Sequence, residues 1–370
     1  VRVAIVSKAL VVGAYQRKCE LIAQELSFLG QSCLCVYVPP NWGSQSLQIA
    51  FTHGYELKTL PIWLSGNYHL HFYPSLAKEL QAFKPDVLHI DEEPYNLATF
   101  LALRAGKSMG CKTVVFSWQN LFRNYPPPFR WMESAVLKSC DAAIVGSVEA
   151  QHVLKQKYTN IKTHVIPQFG VDENVFTTKS PRGAHSQQMF TVGYAGRLVY
   201  EKGVDLILKA IAPLQNVKAL IVGEGDQLPK LKALAKEFGL GERCEFRPNV
   251  PSTHMVSFYH VIDAFVLPSR TLPNWKEQFG RVLIEAMSCG VPVIGARSGE
   301  IPSVIGELDD SAGGLLFNED DVAGLRSAIE RLVSDNALHA AFATFGRQRV
   351  LEHYTMRHIS EQTVKVYCGL

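Results

Sequence analysis

A chain of 370 residues, 47% hydrophobic and 19% charged, is too long for one ordinary core and has the make-up of a well-packed soluble protein of two domains. A formal net charge of +3 is too small for a dedicated nucleic-acid binder, although it leaves room for a local basic patch. Eight cysteines without a Cys-x-x-Cys pair read as reduced core residues of a cytosolic protein, not as a disulfide framework or a zinc site.

VRVAIV opens the chain as a buried strand. QRKCELIAQELSFLG follows as a helix closing on Gly30, and CLCVYV is the next strand. Residues 39–75, with Pro39-Pro40 and several aromatic side chains, hold no clear period and read as loops with short strands or helices. DVLHI (86–90), KTVVFS (112–117), DAAIVG (141–146) and HVIPQ (164–168) are strands. Helices are expected over 97–108 and near 131–139, and Ser147 with Glu149 marks a third helix start.

TTKSPRGAHSQQ, 177–188, is polar and aperiodic and is placed as the interdomain linker. MFTVGYAG (189–196) restarts the pattern, followed by a helix over 204–211, ALIVG (219–223), a helix over 228–238 and AFVLP (264–268). A buried helix face at Leu283, Ile284, Ala286 and Met287 then ends at Gly290, before the strand VPVIGA. From about Asp335 the tail is helical. Repeated strand–helix units predict an α/β protein: two Rossmann-like, doubly wound parallel-sheet domains in series, 1–176 and 189–345, facing a cleft, with the tail 346–370 packing back on the first. No apolar run reaches the length of a membrane span and no leader-like segment precedes the first strand, so a cytoplasmic location is expected. Contact with the cytoplasmic face of a membrane stays open.

Three segments of the second half could carry chemistry. GYAGRLVYEKG runs from a strand into a glycine-bearing loop with Arg197 and Lys202 ahead of a helix, where cations and helix amides make an anion site; two solvated surface cations are the plainer alternative. Gly223 and Gly225 bracket a turn, a weak signal alone. EQFGRVLIEAMSCGVPVIGA sets Glu277 and Glu285 eight positions apart. Eight residues of ideal helix rise about 12 Å, so the two carboxylates would serve two ends of a long ligand and not one reacting atom. Phe279 and Gly280 would open the helix with amides aimed at an anion, and Glu285 would accept two hydroxyls. A buried glutamate tied to backbone or to a basic residue is the alternative for Glu285.

Together, GYAGRLVYEKGVD, LIVGEGDQLPKLKALAKEFGL and DAFVLPSRTLPNWKEQFGRVLIEAMSCGVPVIG resemble the retaining nucleotide-sugar glycosyltransferases of family 4, which have the GT-B fold. The resemblance implies that Arg197 and Lys202 hold the donor diphosphate and Glu277 contacts the transferred sugar. Gln278, Phe279 and Gly280 would lie near sugar and phosphates, while Glu285 grips the ribose. FRPNV places Arg247 and Val250 near the nucleobase, with Pro248 replacing a glycine common there. Gly13 of VVGAYQRK corresponds to a glycine-bearing loop lining the site; its alternative is a left-handed turn before a helix. Where many relatives carry a sugar-contacting histidine, SWQN offers Gln119 and Asn120. His89, His152 and His164 read as structural.

The implied activity is retaining, metal-independent hexosyl transfer without a cofactor, from a UDP-sugar in the first instance and a GDP-sugar next, to a hydroxyl on a glycan, glycolipid or small molecule. The acceptor loops would be 39–75 and 118–130, where YPPPFRW (125–131) suits a sugar, a lipid or the protein core. A nicotinamide dehydrogenase would need a G-x-G-x-x-G fingerprint that VAIVSKALVVGAYQRK lacks. A phosphorylase would need an evident lysine site for pyridoxal phosphate. A nucleotide-sugar epimerase, a sugar-binding protein and an inactive homologue remain as alternatives.

Overall fold

The computed structural model describes residues 1–30, 32–178, 189–251, 254–306 and 312–370. It divides into two compact units, residues 1–170 with 356–370, and residues 171–355.

The first unit holds strands β1 (Arg2–Val6), β2 (Cys33–Val38), β3 (Asn41–Trp42), β4 (Gln45–Ser46), β5 (Glu56–Thr59), β6 (Val87–Ile90), β7 (Lys112–Ser117), β8 (Ala142–Val145) and β9 (Thr163–Val165). Its helices are α1 (Arg17–Ser27), α2 (Leu76–Phe83), α3 (Leu97–Ser108), α4 (Phe129–Ser139) and α5 (Val148–Lys157). Seven strands pair in the order β5-β2-β1-β6-β7-β8-β9, all parallel, and β3 with β4 forms a small antiparallel hairpin. Strands such as CLCVYV and KTVVFS are buried from their second residue on, as continuous apolar runs require when helices cover both faces. Ser147 caps α5, its hydroxyl accepting from the Ala150 N–H at 3.1 Å, as its position ahead of Glu149 predicts.

The second unit holds β10 (Phe190–Ala195), β11 (Val217–Val222), β12 (Cys244–Arg247), β13 (Ala264–Leu267), β14 (Val293–Ala296) and β15 (Gly314–Phe317). Its helices are α6 (Val204–Ile211), α7 (Leu228–Glu237), α8 (Met255–Val261), α9 (Arg281–Ser288), α10 (Ile301–Ile305), α11 (Val322–Ser334) and α12 (Asn336–His353). The strands pair in parallel in the order β12-β11-β10-β13-β14-β15. Numbered within the unit this is 3-2-1-4-5-6, the doubly wound order of dinucleotide-binding sheets.

The last helix, α13 (Met356–Cys368), returns to the first unit and packs on α1. Ile359, Val364 and Tyr367 enter the core that Val3, Ile5 and Ile22 form, and the Tyr367 hydroxyl meets His89 Nδ1 at 2.7 Å. The expected boundaries at 176 and 345 need correction. Residues 171–176 belong to the second unit because the Val171 N–H donates to Tyr354 O at 3.0 Å and Phe176 O accepts from Ser288 Oγ at 2.8 Å. Residues 346–355 stay there as well, since Gly346 lies against Met287 and α12 packs on α9, so the chain crosses back only at Met356. Of the expected linker 177–188, residues 179–188 lie outside the described residues.

Candidate active site

In an open parallel sheet a ligand binds beyond the carboxyl ends of the strands, where the order of connection reverses. In the second unit that point lies between β10 and β13, and the segments leaving those two strands carry Arg197, Lys202 and Glu277. After β10 the backbone is pinned to the segment after β11: the Leu198 N–H donates to Glu224 O at 2.8 Å and the Gln227 N–H to Leu198 O at 3.0 Å. A Cβ on Gly223 would lie 1.9 Å from Gly196 O, and one on Gly225 2.2 Å from Leu198 O. The glycine pair that the sequence flagged as a weak ligand motif therefore shapes the arginine loop by close backbone approach.

Lys202 ends a 3-10 turn, Tyr200–Lys202, and its side chain is 16% exposed. Its ammonium donates to Glu277 Oε2 at 2.6 Å, and the same oxygen accepts from Ser269 Oγ at 2.8 Å. The ammonium also lies 4.9 Å from the Trp275 ring centroid. Arg197, by contrast, is 64% exposed, with Glu201 at 3.7 Å. Sequence reasoning missed Arg270, the buried anchor of this loop. Its guanidinium donates to both oxygens of Asp205 at 2.7 and 2.9 Å, to Tyr200 O at 3.0 Å and to Asp320 Oδ1 at 2.5 Å. Burial works to raise the Asp205 carboxyl, but the bonds from Arg270 and Lys209 outweigh it and hold the group below the usual carboxylate range. An arginine directly after a buried strand, with an aspartate just inside α6, was the signal available.

One helix does not carry both glutamates, which corrects the spacing argument. The turn at Gly280, with φ +78°, caps α9, so Glu277 lies in the non-helical segment before it and only Glu285 is helical. Its N-cap residue, Gly280, has no side chain to cap the helix. Glu285 is buried and accepts from the Tyr259 hydroxyl at 2.9 Å, with Arg281, one turn earlier, at 3.0 Å. Burial raises its carboxyl above the ordinary range, and Arg281 and Tyr259 partly offset this. Phe279 is buried with its ring 5.7 Å from that of Tyr354, whereas Gln278 is exposed. Arg247 is exposed on the edge strand β12, paired with Glu245 at 2.6 Å, and Val250 is half-buried.

In the first unit, Gly13 is buried in a 3-10 turn, Gly13–Gln16, and its φ is not left-handed, which removes that alternative. A Cβ there would stand 3.0 Å from Ala50 Cβ and 3.2 Å from Gln48 Cβ, a tight fit that favours the glycine. Gln119 is buried and both ends of its amide are engaged: Nε2 donates to Glu133 Oε1 at 2.9 Å and Oε1 accepts from Lys157 Nζ at 2.7 Å. That arrangement corrects the expectation of an outward sugar contact from Gln119. Asn120 is partly exposed.

The first unit's sheet reverses between β1 and β6, where a charged cluster sits that sequence reasoning passed over. Asp91 accepts from Ser7 Oγ at 2.6 Å and from Gln168 Nε2 at 2.9 Å. Glu92 pairs with Lys8 and accepts from Tyr73, and Glu93 accepts from Ser117 Oγ at 2.8 Å and from the Trp118 N–H at 2.7 Å. Burial lowers the neighbouring imidazoles, His71 to about 3 and His89 to about 4. The acidic run Asp91-Glu92-Glu93 directly after the strand VLHI was a readable sign. All eight cysteines are free thiols; Cys19, Cys35, Cys111 and Cys289 are buried, and Cys368 is exposed. Among the described residues no helix is long and apolar enough to cross a membrane.

The family model for glycosyl transferases group 1 matches residues 175–349, and that for Glycosyltransferase Family 4 matches residues 23–174. The chain is 28% identical over 241 residues to a D-inositol 3-phosphate glycosyltransferase of Corynebacterium jeikeium, covering 60% of this chain and 55% of that protein. It is 29% identical over 212 residues to a GDP-mannose-dependent alpha-(1-6)-phosphatidylinositol monomannoside mannosyltransferase of Mycolicibacterium smegmatis, covering 54% of this chain and 55% of that one. The chain thus spans about half the length of the curated relatives it matches. Among solved structures, a glycosyltransferase from Rickettsia africae superposes with a TM-score of 0.75 at 17% identity, over 100% of this chain and 98% of that one. The sucrose-phosphate synthase of Thermosynechococcus elongatus superposes at 0.73 and 19%, over 100% and 98%. At such identities the likeness speaks for the fold. With both family models tiling the chain, it belongs to the GT-B glycosyltransferases of the family 4 type.

Proposed function

We propose that the protein transfers a hexose-type sugar from a nucleoside-diphosphate sugar to a hydroxyl acceptor, with retention of configuration and without a metal ion. UDP is the favoured nucleotide and GDP the next. The observation that carries this reading is the pairing of Lys202 with Glu277 at the switch point of a 3-2-1-4-5-6 sheet, with exposed Arg197 on the same loop.

In this reading Arg197 and Lys202 hold the diphosphate. As Lys202 turns to a phosphate oxygen it releases Glu277, whose freed oxygen accepts from a hydroxyl of the sugar. Glu285 takes the ribose, with Tyr259 and Arg281 holding its carboxylate in place. Arg270 and Asp205 touch no ligand here; they fix the loop that carries Lys202. The chemical demand is to stabilise negative charge on the departing diphosphate. A cation about 4 Å from that charge contributes about 4 kcal/mol at an effective dielectric of 20, and only the part gained in the transition state accelerates transfer. The phosphate oxygen leaving C1 can take the acceptor proton on the same face, which retains configuration without a protein nucleophile.

The test is a transfer assay with a panel of UDP- and GDP-sugars after EDTA treatment, with anomeric configuration read by NMR. Transfer with retention supports the reading; a strict need for magnesium or manganese, or an inverted product, contradicts it.

A further inference from the structure

One neighbour of Lys202 takes no part in holding the diphosphate or the ribose. Trp275 is half-buried, and the Lys202 ammonium lies 4.9 Å from its ring centroid. The ammonium therefore rests between a carboxylate, Glu277, and an aromatic face, all within the second unit.

The segment leaving β13 fixes that ring. Leu272 and Trp275 close a tight turn over Pro273-Asn274: the Leu272 N–H donates to Trp275 O at 2.7 Å, and the Trp275 N–H to Leu272 O at 3.2 Å. Thr271, Pro273 and Asn274 are exposed, so the turn stands outside the core. Its base is held from two sides. Thr271 donates its N–H and its hydroxyl to the Glu319 carboxylate at 2.7 and 2.5 Å. The Arg270 N–H donates to Glu201 O at 2.8 Å, inside the turn that carries Lys202. The spacing of lysine and ring is thus set by backbone and does not depend on their own attraction.

A cation over an aromatic face at a partly exposed site gains only about a two- to fivefold preference, too little to hold Lys202 against a diphosphate. As the lysine leaves, it uncovers two surfaces together, the Glu277 oxygen and the face of Trp275. They match the two sides of a pyranose. Sugar hydroxyls donate to a carboxylate, and the positively polarised C–H bonds of the ring lie against the negative face of an indole. Neither surface suits an anion, so the pair reads the sugar and not the phosphates.

We propose that Trp275 is a specificity-determining residue of the donor site: it shelters the Lys202 ammonium in the ligand-free protein and stacks on the transferred sugar once the diphosphate has drawn the lysine away. Its indole N–H has no hydrogen-bond partner among the described residues and is left to donate to a sugar hydroxyl. This role rests on the transferase reading and adds to it a sugar contact that acts in the opposite sense on the bare nucleotide.

Calorimetry with UDP-glucose, UDP-galactose and GDP-mannose finds the sugar nucleotide bound best. That ligand and its bare diphosphate, UDP or GDP, are then titrated into the wild-type protein, Trp275→Leu and Trp275→Phe. Trp275→Leu weakens the sugar nucleotide at least about fivefold. The bare diphosphate binds as before or up to about fivefold tighter, because Lys202 has no ring to leave. Trp275→Phe keeps an aromatic face and restores most of the sugar-nucleotide affinity. A tryptophan that only props up the fold would weaken both ligands alike. Equal weakening of the two, an unchanged sugar nucleotide in Trp275→Leu, or no recovery in Trp275→Phe overturns the role of Trp275 and leaves the transferase reading standing. Failure of the wild-type protein to bind any of the three sugar nucleotides overturns both.

Discussion

The two sheets reverse their order in the same way, yet the two reversal points are filled differently. In the first unit, Asp91 and Glu92 are buried and Lys8 and Glu93 half-buried, and they bond to one another or to neutral partners. In the second, Arg197 reaches solvent, and Lys202 rests on a single carboxylate that lies beside it. A fold that marks a place for a ligand does not by itself fill that place with binding groups. The first cluster has the character of an internal scaffold, whereas under the proposed function the second keeps its cations for the donor diphosphate.

Substitutions can break that comparison. Glu92→Ala leaves half-buried Lys8 without its nearest partner, with Asp91 and Glu93 still close, and is expected to cost about 1–3 kcal/mol of stability, read by denaturant unfolding. Nucleotide affinity of the folded fraction should not change. Lys202→Ala is expected to act mainly on catalysis, lowering transfer about 10²–10³-fold with a smaller loss of stability, since Glu277 keeps its bond from Ser269. Equal loss of stability in the two variants would erase the distinction.

Acid sharpens it further. His71 and His89 take up protons in the folded chain only near pH 3 and 4, against about 6.5 when unfolded. Between those values the unfolded state binds more protons, so their contribution is whole above about pH 6.5 and is lost as pH falls, with buried Glu93 opposing the loss. Asp205 in the second unit is depressed, so its contribution is present above about pH 3.9 and lost only as pH falls through its lower folded value. Hydrogen exchange at pH 7 and pH 5 should therefore show protection falling in the first unit's central strands and holding around α6. The smallest effect belongs to Ser269→Ala, which removes one bond to Glu277 and should cost about 1 kcal/mol in nucleotide-sugar affinity.

Strand–helix alternation was legible because buried parallel strands leave continuous apolar runs: β1, β2, β7 and β10 stand where VRVAIV, CLCVYV, KTVVFS and MFTVGYAG placed them. The edge strand β12 and the short β15 went unread, since four residues with half-exposed faces carry little period. Lys202 and Glu277 could be singled out, but not their contact, because 75 residues separate them. The same limit hid Arg270 with Asp205 and Lys157 with Glu133, which meet only through the fold. Gly13 shows the opposite difficulty: a glycine looks alike in sequence whether backbone angle or packing favours it, and here close packing on Ala50 does.

The most direct test of the account is calorimetric titration of UDP and of GDP into the wild-type protein, Lys202→Ala and Glu92→Gln. The account predicts that one nucleotide binds, that Lys202→Ala weakens it at least about tenfold, equivalent to about 1.4 kcal/mol, and that Glu92→Gln leaves it unchanged. Absence of binding to either nucleotide, or equal affinity in Lys202→Ala and wild type, would contradict it.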